Sequence, residues 1–160
     1  MKIFIGLLLI SSMAFSQETK SNEDYKTVEV KNFSLKSTDG KTVSLADYKG
    51  KFVVIHIATT WCPYCNADAP YLEEIYKEYH NKNVSVLIID VKESKALVHK
   101  KIKERFKLSF PVLLDAEGIV AASFAPTDVL PALARDEIML ASHLLIDLQG
   151  QLPFMSLLDT

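Results

Sequence analysis

Two apolar, β-branched runs dominate the chain, Lys51–Ile57 (KFVVIHI) and Val84–Asp90 (VSVLIID). Near-continuous hydrophobicity of this length predicts strands buried on both faces. Between them the apolar spacing turns helical. Leu72, Ile75, Tyr76 and Tyr79 stand at i, i+3, i+4 and i+7, which predicts a helix from Pro63 to His80 with that stripe inward. A second helix is predicted over Lys92–Lys107, with Leu97, Val98, Ile102 and Phe106 on its inner side. Upstream, Phe33-Ser34-Leu35 and Thr42-Val43-Ser44-Leu45 flank Asp39-Gly40, the pattern of a hairpin. Downstream come a short strand, Val112-Leu113-Leu114, a turn around Glu117-Gly118, and a helix or loop over Ala132–Met139. Ser142–Asp147 and Gln151–Met155 then predict a closing antiparallel pair about Gln149-Gly150. Strands separated by helices of these lengths give an α/β domain whose mixed sheet is covered on both faces.

The first residues fall outside that pattern. Lys2 precedes the apolar run Ile3–Ile10, and Ala14-Phe15-Ser16 places small residues ahead of Gln17. This is the layout of a secretory signal peptide over residues 1–16, cut near Ser16-Gln17. The apolar run is short for a membrane span. The expected location is therefore periplasmic or secreted, where disulfides persist. Residues 17–30 are expected to be a flexible arm and 31–160 the folded domain.

Composition narrows the classes. The chain has 160 residues, 49% hydrophobic and 24% charged, enough for one domain with a real core. A net charge of −2 gives no overall basic field, so nucleic acid is not an expected partner. Two cysteines cannot build a disulfide scaffold or an all-thiolate zinc site.

Their placement matters more than their number. Trp61-Cys62-Pro63-Tyr64-Cys65 lies at the junction of a buried strand and a helix start. Cys62 is expected at the N-cap and Pro63 at the first helical position, where a missing N–H is harmless. Unpaired N–H groups and the helix dipole there favour a thiolate, lowering a cysteine pKa into the range of about 3.5–7.5. Cys65, one turn on, faces the same way and can attack a mixed disulfide formed on Cys62. The plain alternative is a stabilising disulfide, but so short a loop gains least from closure.

With Pro70 eight residues after Cys62, this motif resembles the thioredoxin superfamily active site. The wider match is to the extracytoplasmic TlpA/ResA-type thiol-disulfide oxidoreductases. It rests on Phe33-Ser34-Leu35, Asp39-Gly40-Lys41, Leu45, the strand Lys51–Ile57, Thr60-Trp61-Cys62, Phe110–Asp115, Leu145-Ile146-Asp147 and Gly150. It spans about Asn32 to Phe154. The resemblance implies a thioredoxin-like three-layer α/β fold with an N-terminal β-hairpin. It also implies Cys62 as attacking thiol, Cys65 as resolving thiol, and protein thiols or disulfides as substrates. A membrane or soluble redox partner would recycle the couple, with no cofactor beyond the Cys62–Cys65 disulfide. The Pro63-Tyr64 pair is similar to glutaredoxins rather than to thioredoxin.

The resemblance also marks neighbours of the cysteines. Asp68 matches an acidic position that takes the Cys65 proton, and equally it can complement the helix dipole. His56 stands where the family has Asp or Asn. An imidazole there relays a proton near neutrality, or is a satisfied core residue. Trp61 packs beside the disulfide and, with Pro63, Tyr64, Ser142 and His143, shapes substrate docking; otherwise it is an interior aromatic. The seven basic residues of Lys92–Lys107 form a solvated face or a dock for an acidic partner.

Two departures stand out. The family's cis-proline position aligns with Ala141 or Ser142, and Pro131 is the nearest proline. The chain ends at Thr160, so the usual C-terminal helix is expected to be missing, leaving Leu157-Leu158 or a partner to cover that sheet face. A rival function is a copper or zinc module with Cys62, Cys65 and His143 as ligands, a donor set suited to those metals. A peroxidase is disfavoured, because no Pro-Thr-Cys pattern leads into Cys62.

Overall fold

The computed structural model describes residues 28–125 and 135–156. The expected signal peptide, most of the arm, Pro131 and Leu157-Leu158 lie outside them. The expected strands form, with ends shifted by a residue or two. They are β2 (Ser34–Ser37), β3 (Thr42–Ser44), β4 (Phe52–Ala58), β5 (Val84–Val91), β6 (Val112–Asp115), β7 (His143–Ile146) and β9 (Phe154–Ser156). One seven-stranded sheet runs in the order β3-β2-β6-β5-β4-β7-β9. β4 pairs in parallel with β5, and β5 with β6, while the outer pairings are antiparallel. The sheet is mixed, as the strand and helix spacing implied.

Alternation along the strands splits the core into two layers. Val53, Ile55 and Ile57 of β4 join Leu87, Ile89, Leu113, Leu144 and Ile146 under Ala121, Phe124 and Met139. On the other face Ala58, Val86, Ile88 and Val112 pack with Cys62, Cys65, Leu72, Val98, Ile102 and Phe110. Both cysteines are thus part of a packed layer.

Helix α1 spans Pro63–Tyr79. Its inward stripe is Cys65, Ala69 and Leu72, with Tyr76 half-buried, so of the predicted set Leu72 and Tyr76 face inward. Ile75 and Tyr79 are 37% and 38% exposed. The cysteine junction fixes the rotation of the helix, and the stripe then follows from Cys65 at helical spacing. Pro70 sits inside α1 and removes one backbone bond, to the Asn66 carbonyl.

The second predicted helix is shorter. Lys92 has φ +60°, a left-handed conformation that no helical residue adopts, so α2 (Lys95–Val98) starts only after Ser94. It continues as a wide π-type turn over His99–Glu104. Val98 and Ile102 are buried, but Leu97, one position round the helix, is exposed. The basic face is partly engaged within the molecule. Lys103 donates to the Phe110 carbonyl at 2.7 Å, and Lys92 pairs with Asp136.

Two short helices follow, α3 (Ile119–Phe124) and α4 (Arg135–Ile138). The closing pair differs from expectation. β9 pairs with β7, whereas β8 (Gln151–Leu152) pairs with β1 (Val28–Glu29), inside the stretch predicted as arm. Pro153 explains the split: without an N–H it cannot continue a ladder, so pairing changes partner across it. Among the described residues no helix is long and apolar enough to cross a membrane.

Candidate redox site

The site is built where β4 delivers the chain to α1. Thr59, Thr60 and Trp61 turn it, and Cys62 caps the helix with extended backbone, φ −75° and ψ 114°. Pro63 takes the first helical position, as predicted. Cys62 and Cys65 are disulfide-bonded, with Cα atoms 5.3 Å apart. The Cys65 N–H donates to the Cys62 sulfur at 3.2 Å, and the Cys65 sulfur lies 3.8 Å from the Ile57 carbonyl oxygen. Cys62 is 5% exposed and Cys65 1%. The two sulfurs therefore have different surroundings: one rests on the helix N-terminus near the surface, the other sits beneath it.

Several bonds hold the turn. Asn66 Nδ2 donates to the carbonyls of Cys62 and Thr60, at 2.8 and 3.0 Å. Thr60 donates to the Glu93 carboxylate through its backbone N–H and, at 2.7 Å, through its hydroxyl. Behind Glu93 lies Asp90, fully buried, with neither carboxylate oxygen hydrogen-bonded. Burial first, and the Glu93 carboxylate second, push the Asp90 pKa up to about 9. Sequence reasoning passed over this pair. The signal was an acid ending an apolar strand with a second acid three residues on.

The predicted neighbours of the cysteines divide. His56 and His143 are direct register partners on β4 and β7, and their rings stack with centroids 4.5 Å apart. His143 Nε2 lies 3.6 Å from Asp68 Oδ2, so Asp68 reaches from α1 to this pair. His56 is wholly buried. Burial, then the neighbouring His143, pushes its pKa down to about 3. That direction favours the core-residue reading of His56 over a proton relay near neutrality.

Trp61 is 66% exposed and Tyr64 59%, so Trp61 is not an interior aromatic. Tyr71, one heptad beyond Tyr64 on the same helix face, is 65% exposed and adds to that surface. Ser142 is fully buried. Its hydroxyl donates to the Met139 carbonyl, and its own carbonyl accepts from Ile57 N–H at 3.2 Å. The Ser142 side chain is therefore turned away from any docking partner. Ala141 precedes it with φ +61° and donates from its N–H to the Ile57 carbonyl at 2.9 Å. Ala141 and Ser142 are the two positions expected to align with the family's cis-proline, and among the described residues no peptide bond is cis.

The sulfurs are bonded to each other, so in this state they offer no thiolates for the Cys62, Cys65 and His143 metal set. A cavity of about 580 Å³ lies at the far end of the sheet, lined by Val30, Tyr48, Val53, Ile146 and Leu148. It has no part in the cysteine chemistry.

A three-layer α/β fold presenting a Cys-x-x-Cys pair at a strand–helix junction defines a thioredoxin-fold redox protein. The chain belongs to the AhpC/TSA family, whose model matches residues 27–155. It is 31% identical over 127 residues to the thiol-disulfide oxidoreductase ResA of Bacillus cereus, covering 77% of this chain and 73% of that one. Against ResA of Bacillus subtilis it is 37% identical over 100 residues, 62% of this chain and 54% of that one. Among solved structures it is similar to a thiol:disulfide interchange protein of the thioredoxin family from Chlorobium tepidum. The TM-score is 0.67 at 21% identity, over 83% of this chain and 87% of that one. The expected fold, family and activity all stand: the enzyme is a thiol-disulfide oxidoreductase.

Proposed function

We propose that the enzyme exchanges disulfides with protein partners outside the cytoplasm, after loss of residues 1–16. Cys62 is the attacking sulfur. In the reducing direction its thiolate attacks a substrate disulfide and forms a mixed disulfide, releasing one substrate thiolate. Cys65 then loses its proton and attacks the Cys62 sulfur. The Cys62–Cys65 bond forms, the mixed disulfide breaks, and the second substrate thiolate leaves. Oxidation of a dithiol runs the same steps backwards, and a membrane or soluble redox partner restores the couple. No cofactor beyond the disulfide enters these steps.

The observation that carries this reading is the asymmetry of the two sulfurs. Cys62 accepts an N–H at a helix start, where a thiolate is stabilised, while Cys65 lies beneath beside a carbonyl that favours its protonated form. Asp68 receives the Cys65 proton, with His143 beside it to hold the carboxylate. His56 positions His143 through the ring stack. Trp61, Pro63 and Tyr64 form the exposed rim on which a protein substrate docks, and His143 borders it from β7.

Turnover of insulin disulfides tests the reading. Cys62→Ser abolishes it. Retained turnover in that variant contradicts the assignment of Cys62.

A further inference from the structure

Two histidines and one aspartate converge beside the cysteine helix. His56 on β4 and His143 on β7 face each other across one strand pair, and Asp68 reaches them from α1. One nitrogen from each imidazole and one Asp68 carboxylate oxygen all lie within 4.8 Å of one another.

The state of His56 is unusual. Its Nδ1 lies 3.2 Å from the Ser142 carbonyl oxygen, and a carbonyl can only accept, so Nδ1 carries the proton. Nε2 is then a bare lone pair. It is buried and has no hydrogen-bond partner. A buried acceptor left in that state is unfavourable, because its lost hydration is not replaced. The disulfide exchange described above makes no use of it.

We propose that His56, Asp68 and His143 form a binding site for a divalent late transition-metal ion of the zinc class, independent of the cysteine sulfurs. Two imidazoles and a carboxylate are a donor set for such ions. Tetrahedral zinc with bonds of about 2.0–2.1 Å spaces its ligand atoms about 3.3 Å apart. The Asp68–His143 separation of 3.6 Å is already close to that. His143 and Asp68 are about one-third exposed, so they can adjust and leave an entry path, with His56 fixed at the floor. The bond from His56 Nδ1 to the Ser142 carbonyl is the outer support that metal-ligating histidines commonly have. A water would complete the four ligands of such an ion.

The test uses tag-free, fully oxidised protein, in which the sulfurs are bonded and cannot ligate. Calorimetric titration with Zn²⁺ should show saturable one-to-one binding, and Co²⁺ should give the visible absorption of a four-coordinate nitrogen–oxygen site. His143→Ala and Asp68→Asn, each checked for native circular dichroism, should weaken binding by about tenfold or more. A His80→Ala/His99→Ala double variant removes the two histidines outside the cluster and should bind as the wild type does. No saturable uptake, uptake unchanged in His143→Ala, or uptake lost in the His80→Ala/His99→Ala double variant would each overturn the proposal. Because the assay involves no exchange reaction, its outcome is separate from the roles proposed for Cys62 and Cys65.

Discussion

The Cys65 N–H points at the Cys62 sulfur from 3.2 Å, while the Cys65 sulfur itself lies beside the Ile57 carbonyl oxygen. One backbone donor and one backbone acceptor thus separate two chemically identical groups. In the reduced enzyme Cys62 is expected to be the reactive thiolate and Cys65 the protonated thiol. Iodoacetamide should alkylate Cys62 at least about tenfold faster than Cys65 at neutral pH, as read by peptide mass spectrometry. Equal rates would contradict the asymmetry.

Asp68 is the candidate acceptor for the Cys65 proton. Asp68→Asn keeps the shape and removes the base. The exchange rate should fall by about tenfold or more, with the pH–rate profile changing form. A variant with the wild-type profile would remove Asp68 from the proton transfer; helix-dipole complementation is no alternative, because Asp68 lies beyond the first turn of α1.

Trp61 is mostly exposed and contributes little to the core. Trp61→Ala should leave the melting temperature nearly unchanged. It should raise KM for a protein disulfide several-fold while sparing a small disulfide such as oxidised glutathione. An equal loss on both substrates would mean that Trp61 acts on the cysteines and not on docking.

Asp90 sets a pH dependence of stability. Its carboxyl keeps a proton up to about pH 9 when folded, whereas an unfolded Asp releases it near about pH 4. Between those values the native state binds the extra proton, so stability falls as pH rises. At pH 7 the opposing contribution is about 4 kcal/mol at most. Asp90→Asn should therefore be more stable than wild type at about pH 8 and should lose most of that slope. Urea midpoints at about pH 5 and about pH 8 measure it.

Glu73 is a buried tie between α1 and the chain entering β6. Its carboxylate accepts from Ser109 N–H and Ser109 hydroxyl, each at 2.7 Å, and lies 3.3 Å from Lys77 Nζ. Burial works to raise its pKa, but the Ser109 bonds and Lys77 outweigh that and hold it below the usual carboxylate value. Glu73→Ala should cost about 2–3 kcal/mol in urea unfolding, because two donors lose a charged partner. A change below about half a kcal/mol would show that water replaces it.

Much of this was legible in the chain. Periodicity located the central strands, because burial on both faces leaves an unmistakable apolar run in β4 and β5. The Cys-x-x-Cys motif located the reactive centre, because a strand–helix junction needs a capping side chain and a proline in order. Finer features depended on tertiary placement. The inward face of α1 follows Cys65 and not Ile75, which the apolar pattern alone could not show. The partner of Gln151–Leu152 is Val28–Glu29, a pairing set by Pro153 and by chain ends that meet only in space. His56 could be read either as a titrating group or as a core residue, because its depth beside His143 is a property of two strands in register. The Asp90–Glu93 spacing was legible, but its link to Thr60 was not, because Thr60 lies on a different part of the chain.

The most direct test of the account is covalent trapping by Cys65→Ser. Reduced Cys65→Ser enzyme, mixed with a protein disulfide, should accumulate a stable adduct that mass spectrometry maps to Cys62, while Cys62→Ser accumulates none. A trapped adduct on Cys65 in Cys62→Ser, with none on Cys62 in Cys65→Ser, would contradict the proposed order of attack.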